Sequence, residues 1–127
     1  MNAPEITREA ALAIHSETIA RFGGIDGVRD ENLLDSALAQ PFQTFSGQDL
    51  YPGSVEKACR YSFGIIRNHP FIDGNKRTGT ALMGTYLRMS SLRFRPAHDE
   101  FLSAMLGVAD GTVHYDELVE WVRGVVQ

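Results

Sequence analysis

The amino-acid sequence predicts an all-α protein, a bundle of six helices with one short extended excursion. Two observations support this fold class. Apolar residues recur three and four positions apart in six successive segments, and capping residues, glycines or prolines separate those segments. Residues 42–49 are the exception, because they break the helical spacing.

The first two helices are bounded by side-chain caps and helix breakers. Thr7 can cap a helix over about 8–22, which stops at two glycines. Asp30 can cap a shorter helix over about 31–40, which ends at Pro41. One face of the first helix is expected to carry Ala11, Ile14, Thr18 and Phe22.

The excursion and the third helix follow. Residues 42–45 can form an extended segment, and Ser46-Gly47 a turn. Ser54 is then expected to cap a third helix. Its apolar and small residues are spaced as an inward stripe: Val55, Ala58, Cys59, Ser62, Phe63 and Ile66.

Three more helices complete the bundle. The fourth begins near Asn75, after a loop marked by Pro70 and Asp73-Gly74, and continues to about Ser90. It contains Gly79 and Gly84, which each disfavour a helix by roughly 1 kcal/mol relative to alanine and so suggest a close neighbour. A fifth helix over about 99–109 and a sixth over about 115–126 are expected to turn these residues inward: Phe101, Leu102, Met105, Leu106, Leu118, Trp121, Val122 and Val125.

Length and composition indicate one ordinary globular domain over residues 1–127. The chain is 43% hydrophobic and 22% charged, and its single cysteine excludes an intramolecular disulfide. No apolar run approaches the roughly 20 residues that span a bilayer, and the first residues lack the pattern of a signal peptide. We therefore expect a soluble, cytoplasmic protein with no membrane partner.

Charge is distributed unevenly along the chain. The net charge is −4, which argues against general nucleic-acid binding. Residues 67–95 nevertheless hold six of the twelve basic residues and a single acidic one. A basic zone in an acidic protein suggests a small anionic ligand, although a solvated basic helix face is an equally good interpretation of charge alone.

The residues that carry chemistry lie between His69 and Thr78. A loop containing Asp73 leads into a helix N-terminus, where backbone N–H groups and the helix dipole favour an anion. Lys76 and Arg77 oppose that dipole, so their placement calls for a compensating anion such as phosphate. Asp73 can hold Mg²⁺ beside the phosphate, and His69 can accept a proton. Together they form a phosphoryl- or nucleotidyl-transfer site.

Each of these residues alone also has a purely structural interpretation. His69 can end the third helix, Asp73 can be a turn residue, Asn75 a helix cap, and the two cations can be solvated. Phe71 is expected to be a core anchor for the loop. The functional interpretation depends on the combination.

The same segment resembles the signature of the Fic/Doc family. The Fic form reads H-x-F-x-[DE]-G-N-G-R-x-x-R, and the Doc branch reads approximately H-x-F-x-D-x-N-K-R-T. This chain has the Doc pattern, from His69 and Phe71 through Asp73 to Asn75-Lys76-Arg77-Thr78. Upstream residues, including Gly27-Val28-Arg29-Asp30 and Leu50-Tyr51-Pro52, are also similar to Doc sequences, so the resemblance covers about residues 20–95.

The resemblance implies a six-helix Fic-type bundle with a short β-hairpin-like flap, and it implies roles for particular residues. His69 is expected to be the general base, and Asp73 the Mg²⁺ ligand of an ATP- and Mg²⁺-dependent enzyme. Lys76 and Arg77 complete the catalytic set. The residues expected to bind the nucleotide are Gly74, Asn75, Lys76, Arg77 and Thr78. The flap residues expected to hold the backbone of a protein target are Gln43, Thr44, Phe45 and Ser46.

Two positions bear on the reaction that the resemblance implies. Most Fic enzymes have glycine where this chain has Lys76, and they transfer AMP. In Doc proteins the lysine accompanies a reversed nucleotide that presents the γ-phosphate, so the enzyme is a kinase. The second Fic arginine is replaced by Thr80, which also favours phosphoryl transfer.

The family resemblance implies partners as well. No inhibitory [ST]-x-x-x-E-[GN] segment is found in the sequence, so a separate Phd-like antitoxin is expected. The implied target is a threonine of elongation factor Tu, with arrest of translation as the result. The alternatives are a Fic-type AMP transferase, a non-catalytic binding module on the same fold and, least favoured, a helix-turn-helix DNA binder.

Overall fold

A computed structural model describes residues 3–127 and contains the six expected helices within that range. They are α1 (Arg8–Phe22), α2 (Glu31–Ala39), α3 (Ser54–Asn68), α4 (Asn75–Met89), α5 (His98–Asp110) and α6 (Tyr115–Val125). A 3₁₀ turn (Gln40–Phe42) and two strands, β1 (Thr44–Phe45) and β2 (Gln48–Asp49), lie between α2 and α3. The all-α prediction is confirmed.

The helix boundaries follow the local signals closely. The Thr7 side chain accepts a hydrogen bond from the N–H of Ala10 (3.1 Å), and Asp30 accepts one from Leu33 (3.0 Å). At α3 the prediction is off by one residue, because Gly53 is the cap and Ser54 is the first helical residue. The Glu56 carboxylate accepts a hydrogen bond from the N–H of Gly53 (3.2 Å) and secures this start in place of a serine side chain.

Helix α3 lies at the centre of the bundle and packs most extensively on α4. Its buried residues lie on more than one side of the helix, including Ala58, Tyr61, Ile65 and Ile66. The predicted stripe is thus mostly right but too narrow. Burial also raises the pKa of the Cys59 thiol, which disfavours a thiolate nucleophile at this position.

Three apolar residues predicted to face inward are exposed instead. Phe22 on α1 is 57% exposed, and Leu102 and Leu106 on α5 are 50% and 46% exposed. All three have the helical spacing of an apolar face. They remain exposed because they border an open cavity between α1, α4 and α5. Periodicity identifies the apolar face of a helix, whereas the distance to the next helix decides whether that face is covered.

The extended excursion is a two-stranded antiparallel hairpin. Thr44 pairs with Asp49 and Phe45 with Gln48, so the hairpin lies within the excursion expected over residues 42–49. Ser46 and Gly47 both have positive φ (51° and 77°), as a tight two-residue hairpin turn requires.

A buried lysine supports the hairpin from below. Lys57 on α3 is 2% exposed, and its ammonium group lies 3.4 Å from the Asp49 carboxylate. It also donates to the carbonyl of Tyr51 and lies 5.6 Å from the Phe42 ring centroid. A buried charge needs such compensation, so the base of the flap is fixed to the core. No helix within residues 3–127 is long and apolar enough to cross a membrane.

The close packing of α3 on α4 depends on the absence of a side chain at Gly79, and this dependence can be tested. A Cβ at Gly79 would lie 2.6 Å from Ile66 Cγ1 and 3.1 Å from the carbonyl oxygen of Ser62. Gly79→Ala should therefore lower the free energy of unfolding by about 1–3 kcal/mol through overpacking, despite alanine's better helix propensity.

Gly84→Ala in the same helix is the matched control for urea denaturation. A Cβ there would meet only the mobile end of Arg88, at 3.3 Å. We expect this variant to be as stable as the wild type or more so. Equal effects of the two substitutions would show that the α3–α4 spacing does not depend on Gly79.

Candidate active site

The segment from His69 to Gly74 reverses the chain between the two central helices. His69 is the C-terminal cap of α3 in the left-handed conformation (φ 51°, ψ 57°), and its N–H donates to Ile65 (3.2 Å). Gly74 caps the start of α4 with a second left-handed conformation (φ 77°, ψ 20°). The C-terminus of α3 and the N-terminus of α4 therefore flank one short loop, and the His69 side chain is exposed there.

Residues 27–30 hold this loop by backbone pairing. Val28 pairs with Phe71 in an isolated antiparallel bridge, and Ile72 donates to the carbonyl of Gly27 (3.1 Å). The N–H groups of Arg29 and Asp30 both donate to the carbonyl of Pro70 (2.7 and 3.0 Å). These bonds satisfy loop backbone that would otherwise need water.

The Arg29 side chain adds a second restraint that the sequence did not reveal. Its guanidinium donates to the carbonyls of His69 (2.7 Å) and Asn68 (3.0 Å). Carbonyls at the end of a helix lack intrahelical donors, and a cation there also complements the helix dipole. Arg29 thus caps α3 from a different part of the chain.

Asn75 and Thr78 have side chains directed into the protein. The amide of Asn75 accepts from the N–H of Phe71 and donates to its carbonyl, both at 3.0 Å, and so closes the loop. Thr78 is fully buried, and its hydroxyl is without a hydrogen-bond partner among the described residues. The Thr78 side chain is therefore turned away from solvent, whereas Asn75 is half-buried and lines the cavity described below. Phe71 is fully buried, as the core-anchor expectation required.

Asp73 is held at both its ends while remaining exposed. Its carboxylate accepts a hydrogen bond from the N–H of Ile25 (3.2 Å). Its backbone carbonyl accepts one from His15 Nε2 (2.7 Å). The carboxylate consequently has a defined direction at the edge of the cavity described next.

A cavity of about 920 Å³ opens between α1, α4 and α5 beside this loop. Its lining includes four of the predicted site residues together with Asp73, namely Gly74, Asn75, Lys76 and Arg77. His69 and Thr78 lie outside that lining. The volume is within the range of small-molecule sites in proteins.

The cavity walls combine cations with apolar side chains. Arg21 and Arg88 join Lys76 and Arg77 among its lining residues. The Arg77 guanidinium lies 4.3 Å from the centroid of the Phe22 ring, a cation–π contact that fixes its position. The exposed apolar residues noted above, Phe22, Leu102 and Leu106, also line this space. Such walls suit a ligand with an anionic end and a flat apolar part.

Thr80 occupies the place of the second Fic arginine. Its hydroxyl donates back to the carbonyl of Lys76 (2.7 Å), within the first turns of α4. The side chain lines the cavity but carries no charge. The cations that line the cavity at this end of α4 are therefore Lys76 and Arg77.

The donor set fits a metal bound together with a phosphate ligand. Over residues 3–127 there is no group of three His, Cys, Asp or Glu side chains arranged to hold an ion. Mg²⁺ commonly binds through one or two carboxylates and completes its shell with phosphate and water. A single fixed carboxylate, Asp73, next to a helix N-terminus fits that mode.

The fold and this arrangement define a helical protein with a carboxylate and two cations grouped beside a cavity at a helix N-terminus. Comparison with known proteins gives the family: the model of the Fic/DOC family matches residues 5–87. The chain belongs to the Fic/DOC family, and the resemblance inferred from the sequence is confirmed.

Two relatives illustrate the similarity. "Toxin Doc" of Mycolicibacterium smegmatis is 41% identical over 78 residues, which is 61% of this chain and 60% of that protein. "Protein kinase doc" of Escherichia phage P1 is 23% identical over 118 residues, covering 93% of this chain and 92% of the relative. The match to the first relative thus spans less than two thirds of its length.

The cap provided by Arg29 can be tested by substitution. Arg29→Met keeps the apolar stem but removes both carbonyl contacts, so we expect a loss of about 1 kcal/mol in the free energy of unfolding. Amide hydrogen exchange should become faster at Ile72 and Asp30, whose N–H groups donate to the carbonyls of Gly27 and Pro70, because the pairing of the two segments loosens.

Arg123→Met provides the control. Arg123 is also exposed, but it pairs with the partly buried Glu56 and the exposed Glu120, so its removal leaves both carbonyl contacts of Arg29 in place. Unchanged exchange at Ile72 and Asp30 in Arg29→Met would contradict the capping role.

Proposed function

We propose that this chain is the toxin of a toxin–antitoxin module and a kinase that transfers the γ-phosphoryl group of ATP to a hydroxyl of a protein. The observation that supports it best is the grouping around one cavity edge. Asp73, the N-terminus of α4 and the cations Lys76 and Arg77 line the cavity, and His69 begins the same short loop. The names of the two relatives, a Doc toxin and a protein kinase, support this class of activity.

The proposed site binds the nucleotide through the start of α4. The first backbone N–H groups of a helix have no intrahelical acceptors, and they can bind phosphate oxygens. Lys76 and Arg77 add charge where the helix itself disfavours cations, so a bound polyphosphate relieves that repulsion. The Mg²⁺ ion held by Asp73 would neutralise phosphate charge during transfer.

The transfer itself requires a base and an acceptor. The acceptor hydroxyl oxygen forms a bond to the γ-phosphorus, the bond between that phosphorus and the β,γ-bridging oxygen breaks, and ADP leaves. The acceptor proton passes to the His69 imidazole. An exposed histidine fixed at a helix end can reach a hydroxyl on another protein, which a buried one cannot.

The flap is the proposed docking element for the target. Its two strands are short and fully exposed, and Phe45 is 72% exposed. Exposed strand edges can pair with an extended segment of another chain. Because Lys57 fixes the base of the hairpin, the flap would present this edge at a defined position. We propose a threonine of elongation factor Tu as the acceptor.

A separate antitoxin is the proposed restraint. The proposal follows from the name of the first relative and from the exposed apolar wall of the cavity. An apolar surface of this kind is suited to an amphipathic segment of a partner. A Phd-like protein is the expected partner.

The decisive assay is intact-mass analysis of purified elongation factor Tu after incubation with this protein, ATP and Mg²⁺. We expect a gain of one phosphoryl group, about 80 Da. A gain of one AMP unit would instead indicate a Fic-type AMP transferase. Absence of nucleotide binding by calorimetry would favour a non-catalytic module.

Substitution of His69, the proposed general base, should lower the rate of phosphoryl transfer and leave the fold unchanged. His69→Ala should lower phosphoryl transfer by roughly a hundredfold or more, as expected for a general base. His114→Gln is the control, since His114 is an exposed histidine at the start of α6, away from the cavity lining. An undiminished rate in His69→Ala would exclude His69 as the base.

Lys76 should influence stability and activity in opposite directions. Lys76→Gln removes a cation from the N-terminus of α4, so the free energy of unfolding should rise by about 0.3–1 kcal/mol. Transfer should fall by roughly a hundredfold, the usual effect of removing one charged or hydrogen-bonding stabiliser of the transition state.

Arg88→Gln tests whether removing a cation has opposite effects on stability at the two ends of α4. Arg88 lies in the last turn of the same helix, where a cation is favourable, so its removal should lower the stability. A Lys76→Gln variant that is less stable than the wild type would contradict the electrostatic argument.

A further inference from the structure

His15 lies beneath the proposed site and is buried, although the sequence offered no role for it. It is on α1, 58 residues away from Asp73 along the chain, and only 1% of it is exposed. Its ring stacks on Phe71 with centroids 3.8 Å apart and planes 7° from parallel. The contact places the imidazole directly under the loop that carries Asp73.

Both nitrogens of this imidazole face polar atoms of the loops that surround Asp73. Nε2 donates to the backbone carbonyl of Asp73 (2.7 Å); a carbonyl can only accept, so Nε2 carries the hydrogen. Nδ1 lies 3.3 Å from the Asp26 carboxylate. The ring therefore lies between the turn at residues 24–26 and the loop of the site.

The turn at residues 24–26 also contacts the Asp73 side chain. The N–H of Ile25 donates to Asp73 Oδ2 (3.2 Å). A Cβ at Gly24 would lie 3.1 Å from the same oxygen, so the backbone of the turn approaches the carboxylate closely. His15 bonds to the backbone of Asp73 and contacts the turn that bonds to its carboxylate.

We propose that His15 is a positioning residue, which orients the Asp73 carboxylate for the metal–nucleotide complex. This inference rests on the proposed function, in which Asp73 is the metal ligand. A carboxylate on an exposed loop has several rotamers and a mobile backbone. The bond from His15 fixes its carbonyl, and the 24–26 turn fixes its carboxylate direction.

A histidine that only filled the core would not need these contacts. Its stacking on Phe71 would account for burial, but not for the bond from Nε2 to the Asp73 carbonyl. Groups that orient a metal ligand typically change metal affinity by about 10- to 100-fold when they are removed. That effect is separable from stability.

The test compares two amides at position 15. His15→Gln can place its amide nitrogen near the position of Nε2 and so keep the bond to the Asp73 carbonyl. His15→Asn ends about one methylene short and cannot reach it. Both variants lose the stacked ring, so their losses of stability should be similar, and thermal denaturation checks that equality.

The primary measurement is calorimetric binding of the ATP analogue adenylyl imidodiphosphate, with Mn²⁺ and with excess EDTA. The affinity with Mn²⁺ divided by the affinity with EDTA gives the contribution of the metal to binding. We expect the ratio for His15→Asn to fall by roughly 10- to 100-fold. His15→Gln should stay close to the wild type, and affinity in EDTA should be unchanged in both.

A double variant identifies the residue through which His15 acts. Asp73→Asn should remove most of the metal contribution, and adding His15→Asn should cause no further loss, because coupled residues are not additive. The amide of Ile25 should also exchange faster in His15→Asn than in His15→Gln. This readout involves neither metal nor nucleotide.

The outcomes separate the inference from the function on which it rests. If Asp73→Asn lowers the ratio while His15→Asn and His15→Gln both match the wild type, the positioning role is wrong and the metal assignment stands. If the wild-type ratio is near one, the metal assignment fails, and the positioning role fails with it. Additive losses in the double variant would also overturn the proposal.

Discussion

The short loop between α3 and α4, with a left-handed residue at each end, is the constraint on which the rest of the site depends. His69 and Gly74 both adopt left-handed conformations, at the end of one helix and the start of the next. For a non-glycine residue this conformation costs about 1–3 kcal/mol and persists only where the surroundings determine it. Here the surroundings are the Arg29 cap, the Val28–Phe71 pairing and the His15 contact. The loop is thus held by α1 and the segment that follows it, together with the Asn75 side chain at the start of α4.

The electrostatics of α4 follow from this geometry. Lys76 and Arg77 occupy the helix end that disfavours cations, and the Arg77 guanidinium stacks on Phe22 of α1. Phe22 is exposed although its spacing predicts burial, because it lines the cavity and supports a charge there. The apolar residues that depart from the predicted core therefore lie where a ligand or partner is expected. Residues that are unfavourable for the local structure, and that cluster in one place, are typical of functional sites.

Packing provides the rigid support for this arrangement. Helix α3 is buried on several sides, and Gly79 allows α4 to approach it until a Cβ would overlap Ile66. The same helix carries Lys57, whose buried ammonium group fixes the base of the flap. The proposed base and the proposed target-docking element are thus both connected to α3 or to its ends. A site on rigid helices with one exposed hairpin can hold a nucleotide and still admit a large protein acceptor.

The sequence by itself determined the number and approximate bounds of the helices, the hairpin, the loop from His69 to Thr78 and the family. These depend on local signals, namely caps, spacing and a short motif, whose partners lie within a few residues. Tertiary structure alone decided which apolar faces are covered, that the side chains of Asn75 and Thr78 point inward, and that Arg29 and His15 support the loop. Those contacts join residues 40 and 58 positions apart. No pattern in a single sequence marks them, because a buried histidine and an exposed arginine have no preferred local context. The packing of α1 against α4 brings His15 to the site, and the pairing of residues 27–30 with the loop brings Arg29 there.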